Sequence, residues 1–208
     1  MIPVNVLAVR YLANASPALA KGLGAPAGMP SLGLLTTDCD DATYIALDAA
    51  TKAADVQVSY GRSFYAGAAN ASTPNAGEVI GILAAATPGA VRSGMEAALS
   101  ALERLGFEET HGVPFLAHTV ASVGSFLAKE AGVPMGSAIA YLIAPPLEGM
   151  YAMDAALKAA DVKLCKLYTP PSETNFGGGL LSGTQSACEA ACAAFSAAVS
   201  EVAANPRE

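Results

Sequence analysis

The chain is poor in charge, in aromatic side chains and in histidine. Of its 208 residues, 14% are charged and 6% aromatic; tryptophan is absent and histidine occurs twice, whereas 53% of the residues are hydrophobic. Average soluble proteins carry about 25% charged residues. Large exposed apolar patches usually mark contact sites. We therefore expect part of the surface of this chain to be covered by other protein.

A long hydrophobic run is missing as well. The longest candidate, residues 137–153, is interrupted by Pro145, Pro146 and Glu148, and a membrane-spanning helix needs about 20 apolar residues. A basic segment followed by an apolar one, which would mark a secretion signal, does not occur. The sequence predicts a folded protein of the cytoplasm with no lipid-membrane partner.

Positive charge is scarce and scattered. The chain has 11 Lys and Arg against 18 Asp and Glu, which gives a formal net charge of −7 at pH 7. Nucleic-acid binding requires clustered Lys and Arg that neutralise phosphates. We expect no nucleic-acid partner.

The common catalytic signatures do not occur. The sequence has no GxxxxGK[ST] phosphate loop, no GxSxG nucleophile motif and no HExxH zinc motif. His111 and His118 have no Cys or His at ligand spacing. Cys188 and Cys192 lie one helical turn apart, and because Phe195 continues the same apolar stripe, we interpret both thiols as core residues in a reducing compartment. We expect no enzyme.

What the chain does contain is an internal repeat. Residues 45–56, IALDAATKAADV, return at 151–162 as YAMDAALKAADV, and LAKGLGAP at 19–26 returns at 127–134 as LAKEAGVP. The offset of about 106–108 residues indicates two copies of one structural unit. The predicted bounds are 1–107 for the first domain, 113–208 for the second and 108–112 for the joint between them.

The pattern within each copy predicts strand, helix, strand, helix, strand, strand and helix. Ser16 and Thr87, each followed by proline, are typical N-caps, and we predict the same role for Asp40 at the start of the next helix. Elements in this order form an α+β sandwich with an antiparallel sheet. Two similar units in one chain can take neighbouring positions in a ring, so three chains would enclose an axis that can serve as a pore.

Three segments place carboxylates and glycines at matching points of the two copies. TTDCDDATY at 36–44 puts three acids at a strand–helix junction, and APPLEGMY at 144–151 takes the same place in the second copy. PPSETNFGGGLLSG at 170–183 corresponds to the stretch that precedes Glu78. Helix capping accounts for one or two of the three acids, which favours a further role for the group.

From about residue 5 to 205 the chain resembles a known family. The motifs that carry the resemblance are SLGLLTTDCDDATYIALDAATKAADV, YGRSFYAGAANAS, AGEVIGIL, AYLIAPPLEGMYAMDAALKAADV and PPSETNFGGGLLSGTQSACEAACAAF. They are similar to motifs of the EutL-type shell proteins of bacterial microcompartments that break down ethanolamine. The resemblance implies two tandem, circularly permuted, ferredoxin-like α/β sandwich domains. It also implies a pseudo-hexameric homotrimer that tiles edge to edge with other shell proteins and has a gated central pore and small pores for polar metabolites.

The resemblance extends to individual residues. It implies that an ethanolamine-like ligand is bound by Asp40, Asp41, Glu78, Phe107, Thr174, Asn175 and Phe176, and that zinc binds at the pore through Glu148. No other cofactor is implied, because the cysteine through which some relatives bind cobalamin is replaced by Thr119 here.

Three alternatives stay open at this point. The joint is shorter than in relatives, and ASVG at 121–124 replaces their SRTG, so the shell could serve a related substrate such as ethanol, choline or a diol. The chain could instead be a soluble trimeric sensor whose acidic cleft binds a small cationic metabolite. A metal-dependent enzyme built on Asp38, Asp40, Asp41 and Glu78 is the third reading.

Overall fold

The predicted α+β class is confirmed by the computed structural model, which describes residues 1–64, 75, 77–170 and 172–207. The motif YGRSFYAGAANAS lies mostly outside the described residues, as do Ala76 and Pro171 of two other motifs. The elements in chain order are β1 (Ile2–Pro3), β2 (Val6–Leu12), α1 (Pro17–Gly22), β3 (Ser31–Thr37), α2 (Asp40–Ala53), β4 (Gln57–Ser63), β5 (Val79–Ala85), α3 (Pro88–Leu102), β6 (Gly106–Thr110), β7 (Val113–Val120), α4 (Ser125–Ala131), β8 (Ala138–Ala144), α5 (Pro146–Ala159), β9 (Val162–Tyr168), β10 (Gly177–Gly183) and α6 (Gln185–Ala204).

The chain divides into two compact units. The first-repeat unit comprises residues 3–105 and 124–127, and the second-repeat unit comprises residues 1–2, 106–123 and 128–208. Each unit therefore includes a short stretch of chain that the sequence places beside the other copy.

The first-repeat unit contains a four-stranded antiparallel sheet in the order β2-β3-β5-β4. Helices α2 and α3 pack against each other and against this sheet. Its fully buried side chains include Leu35, Leu47, Leu83 and Met95. Burial of these side chains is the main force that holds the helices on the sheet.

The second-repeat unit contains a six-stranded sheet in the order β1-β6-β7-β8-β10-β9. Its core joins strand residues such as Leu142 and Leu181 to Cys188, Cys192 and Phe195 of α6, so the interpretation of both thiols as core residues is confirmed. Helix α6 is the one described helix long and apolar enough to span a membrane, but a buried core helix has the same length and composition.

The segment predicted as the joint, 108–112, is a β-hairpin. Glu108 pairs with Phe115 and Thr110 with Val113, while His111 and Gly112 form the turn with φ of 50° and 79°. Because β6 completes a strand pair with β7, these residues belong to a sheet and do not serve as a linker.

The repeat is visible in the backbone. Gly24 and Gly132 lie just after the equivalent helices α1 and α4, with φ of 71° and 65°. After α2 and α5 the same turn recurs, since the N–H of Val56 donates to Ala54 and that of Val162 to Ala160, both at 2.9 Å.

Two of the three predicted caps are confirmed and one is wrong. Ser16 Oγ and Thr87 Oγ1 accept the N–H of the third residue after them. Cys39, not Asp40, holds the N-cap position of α2. Thr37 Oγ1 accepts the Cys39 N–H at 3.2 Å and the Thr43 hydroxyl donates to the Cys39 carbonyl at 2.7 Å. These two threonines fix the start of the helix, so Asp40 becomes its first residue.

Candidate functional site

The predicted acidic residues of the first copy meet at one end of its sheet. Asp40 and Asp41 begin α2 directly after β3, and Glu78 directly precedes β5. Strands β3 and β5 are neighbours, and the N–H of Glu78 donates to the carbonyl of Thr37 at 2.9 Å. Asp40 and Asp41 are each 7% exposed, so two carboxylic acids are buried at this junction.

Gly77 allows the segment that carries Glu78 to lie against β3. Its φ is +63°, and a Cβ at this position would lie 2.0 Å from the carbonyl oxygen of Thr37. L-amino acids with a side chain rarely adopt this conformation, and the backbone leaves no space for one. The position of Glu78 therefore depends on a glycine before it.

The electrostatics of this group are governed by burial and like charge. Burial raises the pKa of Asp40, although hydrogen bonds from the Ser63 side chain and the Asp41 N–H oppose the shift. Burial also raises the pKa of Glu78, and the charges of Asp40 and Asp38 raise it further. The pKa of the Cys39 thiol is raised by burial above all, with contributions from the charges of Asp41, Asp40 and Glu78. A cation placed among these groups would be stabilised.

Two polar side chains that the sequence analysis did not identify support Asp40. Ser63 at the end of β4 hydrogen-bonds Asp40, and the hydroxyl of Tyr44 lies 2.6 Å from Ser63 Oγ. Tyr44 also packs on Phe126 with ring centroids 5.9 Å apart. Both residues lie within motifs that carry the family resemblance, but only the pairing of β4 with β5 brings Ser63 to the acidic group.

Asp38 adds its charge near Glu78, but its own carboxylate is held by Asn5. Its two carboxylate oxygens accept the backbone N–H of Asn5 at 2.8 Å and the Asn5 side-chain amide at 2.6 Å. Among the described residues, no group of three or more His, Cys, Asp or Glu side chains is arranged to hold a metal ion. The four-carboxylate metal site of the enzyme hypothesis is therefore not assembled in this part of the chain.

The remaining predicted ligand residues lie in the second-repeat unit. The rings of Phe107 and Phe176 meet edge to face, with centroids 5.7 Å apart. The N–H of Thr174 donates to Ser172 Oγ at 3.3 Å, and Asn175 adopts a φ of +64°, a conformation that Asn tolerates in turns. The structure thus brings Phe107 and Phe176 together across about 70 residues of sequence.

Glu148 lies in the first turn of α5, where a carboxylate is favourable. Pro145 precedes this helix, its carbonyl accepts the N–H of Gly149 at 2.7 Å, and Glu148 is half-buried. One chain contributes a single carboxylate here, which is not a zinc-binding donor set. Zinc binding by Glu148 requires donors beyond those of one described chain.

Comparisons with known proteins agree with the repeat and the fold. The family model of the BMC domain matches residues 31–115. The bacterial microcompartment shell protein EutL of Clostridium perfringens (strain 13 / Type A) is 56% identical over 210 residues, covering 99% of this chain and 97% of the relative.

Solved structures extend the comparison to three dimensions. The crystal structure of ethanolamine utilization protein EutL from Leptotrichia buccalis C-1013-b matches with a TM-score of 0.95 and 56% identity, covering 100% of this chain and 97% of that one. The trimeric bacterial microcompartment shell protein PduB shares the fold, with a TM-score of 0.80 and 19% identity over 96% and 89% of the two chains. From its identity to these relatives over nearly its full length, the chain belongs to the EutL family of bacterial microcompartment shell proteins, components of a compartment inside the bacterial cytoplasm.

Proposed function

We propose that this shell protein forms a homotrimeric, pseudo-hexameric tile whose small pores admit ethanolamine or a closely related cationic amino alcohol. The observation that carries the proposal is the acidic group in which the buried carboxyls of Asp40 and Asp41 meet the more exposed carboxylate of Glu78. Partial burial and the charges of Asp40 and Asp38 raise the pKa of Glu78. A small ammonium ion would relieve the repulsion between these carboxylates.

The second-repeat unit offers groups of a different kind. Thr174 and Asn175 carry hydrogen-bonding groups in a turn, and Phe107 and Phe176 form an aromatic pair. We propose that these four residues also contact the ligand in the assembled tile, the first two through its hydroxyl group and the aromatic pair through its carbon atoms.

Calorimetry with ethanolamine tests the ligand. A charge-assisted hydrogen bond contributes roughly 1.5–3 kcal/mol, so Glu78→Gln should weaken binding about tenfold or more. Glu103→Gln, a change at the exposed C-cap of α3, is the matched control and should bind as the parent does. Equal affinities of the parent and Glu78→Gln would remove Glu78 from the site.

The same titration separates the candidate substrates. Ethanol and a diol lack the ammonium group, and choline carries a bulkier, trimethylated one. We expect ethanolamine to bind more tightly than all three. A preference for a neutral alcohol would assign the shell to a different compartment and would contradict the role given to the carboxylates.

Assembly distinguishes the tile from a soluble trimeric sensor. We expect sedimentation equilibrium to give about 62 kDa, three times the 20.8 kDa of one chain, and negative-stain images of concentrated protein to contain extended two-dimensional sheets. Discrete trimers without sheets would favour the sensor. A stable monomer at micromolar concentration would contradict both.

We further propose that Glu148 acts at the gated central pore. In a trimer this residue recurs three times, and like charges a few ångströms apart repel unless a proton or cation neutralises them. Carboxylates alone bind zinc weakly, since zinc prefers nitrogen and sulfur donors, so other divalent cations should displace it. A crystal soaked in zinc should show anomalous density at Glu148 that is lost in Glu148→Ala; density elsewhere would dissociate the residue from the gate.

A further inference from the structure

The buried carboxylate of Asp48 holds a stretch of chain from the second copy. Asp48 is 0% exposed, and its two oxygens accept the N–H of Gly124 at 2.7 Å and the N–H of Leu127 at 2.9 Å. Lys52, one turn later in α2, lies 3.4 Å from the same carboxylate. Residues 124–127 consequently belong to the first-repeat unit.

The equivalent carboxylate of the second copy is open. The repeat aligns Asp48 with Asp154 and Lys52 with Lys158, and Asp154 keeps its lysine partner at 2.5 Å. Its side chain is 65% exposed, and within the described residues it accepts no backbone N–H. Asp154 therefore keeps the lysine partner that Asp48 has but, in the part of the chain that the structure describes, lacks the backbone N–H donors.

The segment equivalent to 124–127 is open in the same way. The repeat aligns Leu127 with Leu19 and Gly124 with Ser16. Leu127 is 1% exposed whereas Leu19 is 46% exposed, and Gly124 is buried whereas Ser16 is exposed. The repeat therefore carries both halves of this contact twice. One pair of halves is joined and buried within the first-repeat unit, whereas Leu19 and Asp154, which belong to the other pair, are both exposed.

We propose that these halves join between chains: the α5 face formed by Leu147, Tyr151 and Asp154 binds residues 16–19 of a second copy of this chain. The Asp154 carboxylate takes hydrogen bonds from Ser16 of that copy, as Asp48 takes them from Gly124. This inference rests on the homotrimer proposed above and assigns the residues of its interface.

The apolar residues of the two halves support this occupant. Leu147 and Tyr151 are 64% and 48% exposed, and Ile45, the repeat equivalent of Tyr151, is 5% exposed in the first copy. Side chains of this size rarely remain open on a soluble chain unless they meet a partner. Each chain offers the α5 face to one neighbour and residues 16–19 to another, a head-to-tail contact that closes into a ring.

Serine in place of glycine changes the contact in a defined way. A Cβ at Gly124 would lie 2.8 Å from the carbonyl oxygen of Asp48, so Ser16 cannot approach Asp154 as closely. The Ser16 hydroxyl bridges the larger distance between the two backbones. Ser16 Oγ accepts the Leu19 N–H at 3.3 Å within its own chain, and in the proposed contact it donates its hydrogen to the Asp154 carboxylate. The contact between chains is therefore wider than its counterpart within the chain.

Two measurements on the full chain test the interface. In sedimentation equilibrium, Asp154→Ala should raise the dissociation constant for assembly at least about tenfold, because each contact loses a charged acceptor. Asp161→Ala, an exposed acid just after α5, is the matched control and should assemble as the parent does. In the second measurement, Ser16→Cys combined with Asp154→Cys is oxidised and run on a non-reducing gel. We expect covalent dimers and trimers, since the two Cβ atoms should lie within disulfide distance, and none from Ser16→Cys combined with Asp161→Cys.

The outcomes separate this interface from the assembly itself. If the parent is a trimer but Asp154→Ala assembles equally well and the cysteine pair gives no linked species, the trimer stands and this interface is overturned. If the parent is a monomer at every concentration, the proposed assembly fails and the interface with it. Linked species from the Ser16–Asp154 pair alone, together with weaker assembly of Asp154→Ala, would establish it.

Discussion

Replacing Asp48 by alanine should remove a large part of the stability of the chain. The change deletes two hydrogen bonds from the buried N–H groups of Gly124 and Leu127 and leaves both donors without an acceptor. Hydrogen bonds to a charged group contribute about 1.5–3 kcal/mol each, and breaking a buried charged pair costs about 3–5 kcal/mol. Because the alanine also removes a charge that was costly to bury, we expect a net loss of about 3–5 kcal/mol.

Urea unfolding followed by circular dichroism, at one fixed chain concentration, measures this effect. Typical domains have a total stability of about 5–15 kcal/mol, so the midpoint should fall steeply. Asp55→Ala removes an exposed acid close to the end of α2 and should change stability by less than about 0.5 kcal/mol. A loss below about 1 kcal/mol for Asp48→Ala would show that water satisfies the two N–H groups and would refute the reasoning.

Three further predictions concern the acidic group. Asp40→Asn should raise the urea midpoint at neutral pH while weakening ethanolamine binding, because burial raises the pKa of Asp40 in the folded chain; a lower midpoint would show that the charge stabilises the fold. The raised pKa of Glu78 and Asp40 means that their contribution to folding is present when they are protonated and is lost as pH rises through the folded pKa. Ethanolamine affinity should therefore fall on acidification through that same pKa, which calorimetry across a pH series measures, and an affinity independent of pH would contradict it. Gly77→Ala should cost about 1–3 kcal/mol of stability through backbone strain and also weaken binding, since its Cβ would meet the carbonyl oxygen of Thr37; unchanged stability and binding would show that the segment can shift.

Local features of the sequence predicted much of the fold. Proline after Ser16 and Thr87 indicated two helix starts, and the 4-3 spacing of apolar residues indicated the buried face of α6. The prediction that Asp40 caps α2 was wrong, because propensity ranks Asp above Cys at N-caps and does not include the side chains of Thr37 and Thr43. Those threonines form hydrogen bonds to Cys39 that only the folded strand–helix junction brings into place.

The candidate site was predicted unevenly for a related reason. Resemblance to a family identified acidic and aromatic positions one by one, and the structure brings Phe107 and Phe176 together. The resemblance did not indicate that Ser63 hydrogen-bonds Asp40 or that Asn5 hydrogen-bonds Asp38. Such contacts depend on which strands are neighbours in the sheet, and strand order cannot be read from spacing in the sequence.

The dependence of the first-repeat unit on residues 124–127 bears on how the chain folds during synthesis. Domains at the N-terminal end generally fold first, as they leave the ribosome, but the first copy ends about twenty residues before Gly124 and Leu127 are made. Until they emerge, α2 carries Asp48 without the two backbone donors that it has in the native chain. A nascent chain stopped at residue 107 should therefore be sensitive to protease, and resistance should appear once residue 127 has left the exit tunnel. Folding of the first copy is in this way timed by translation of the second.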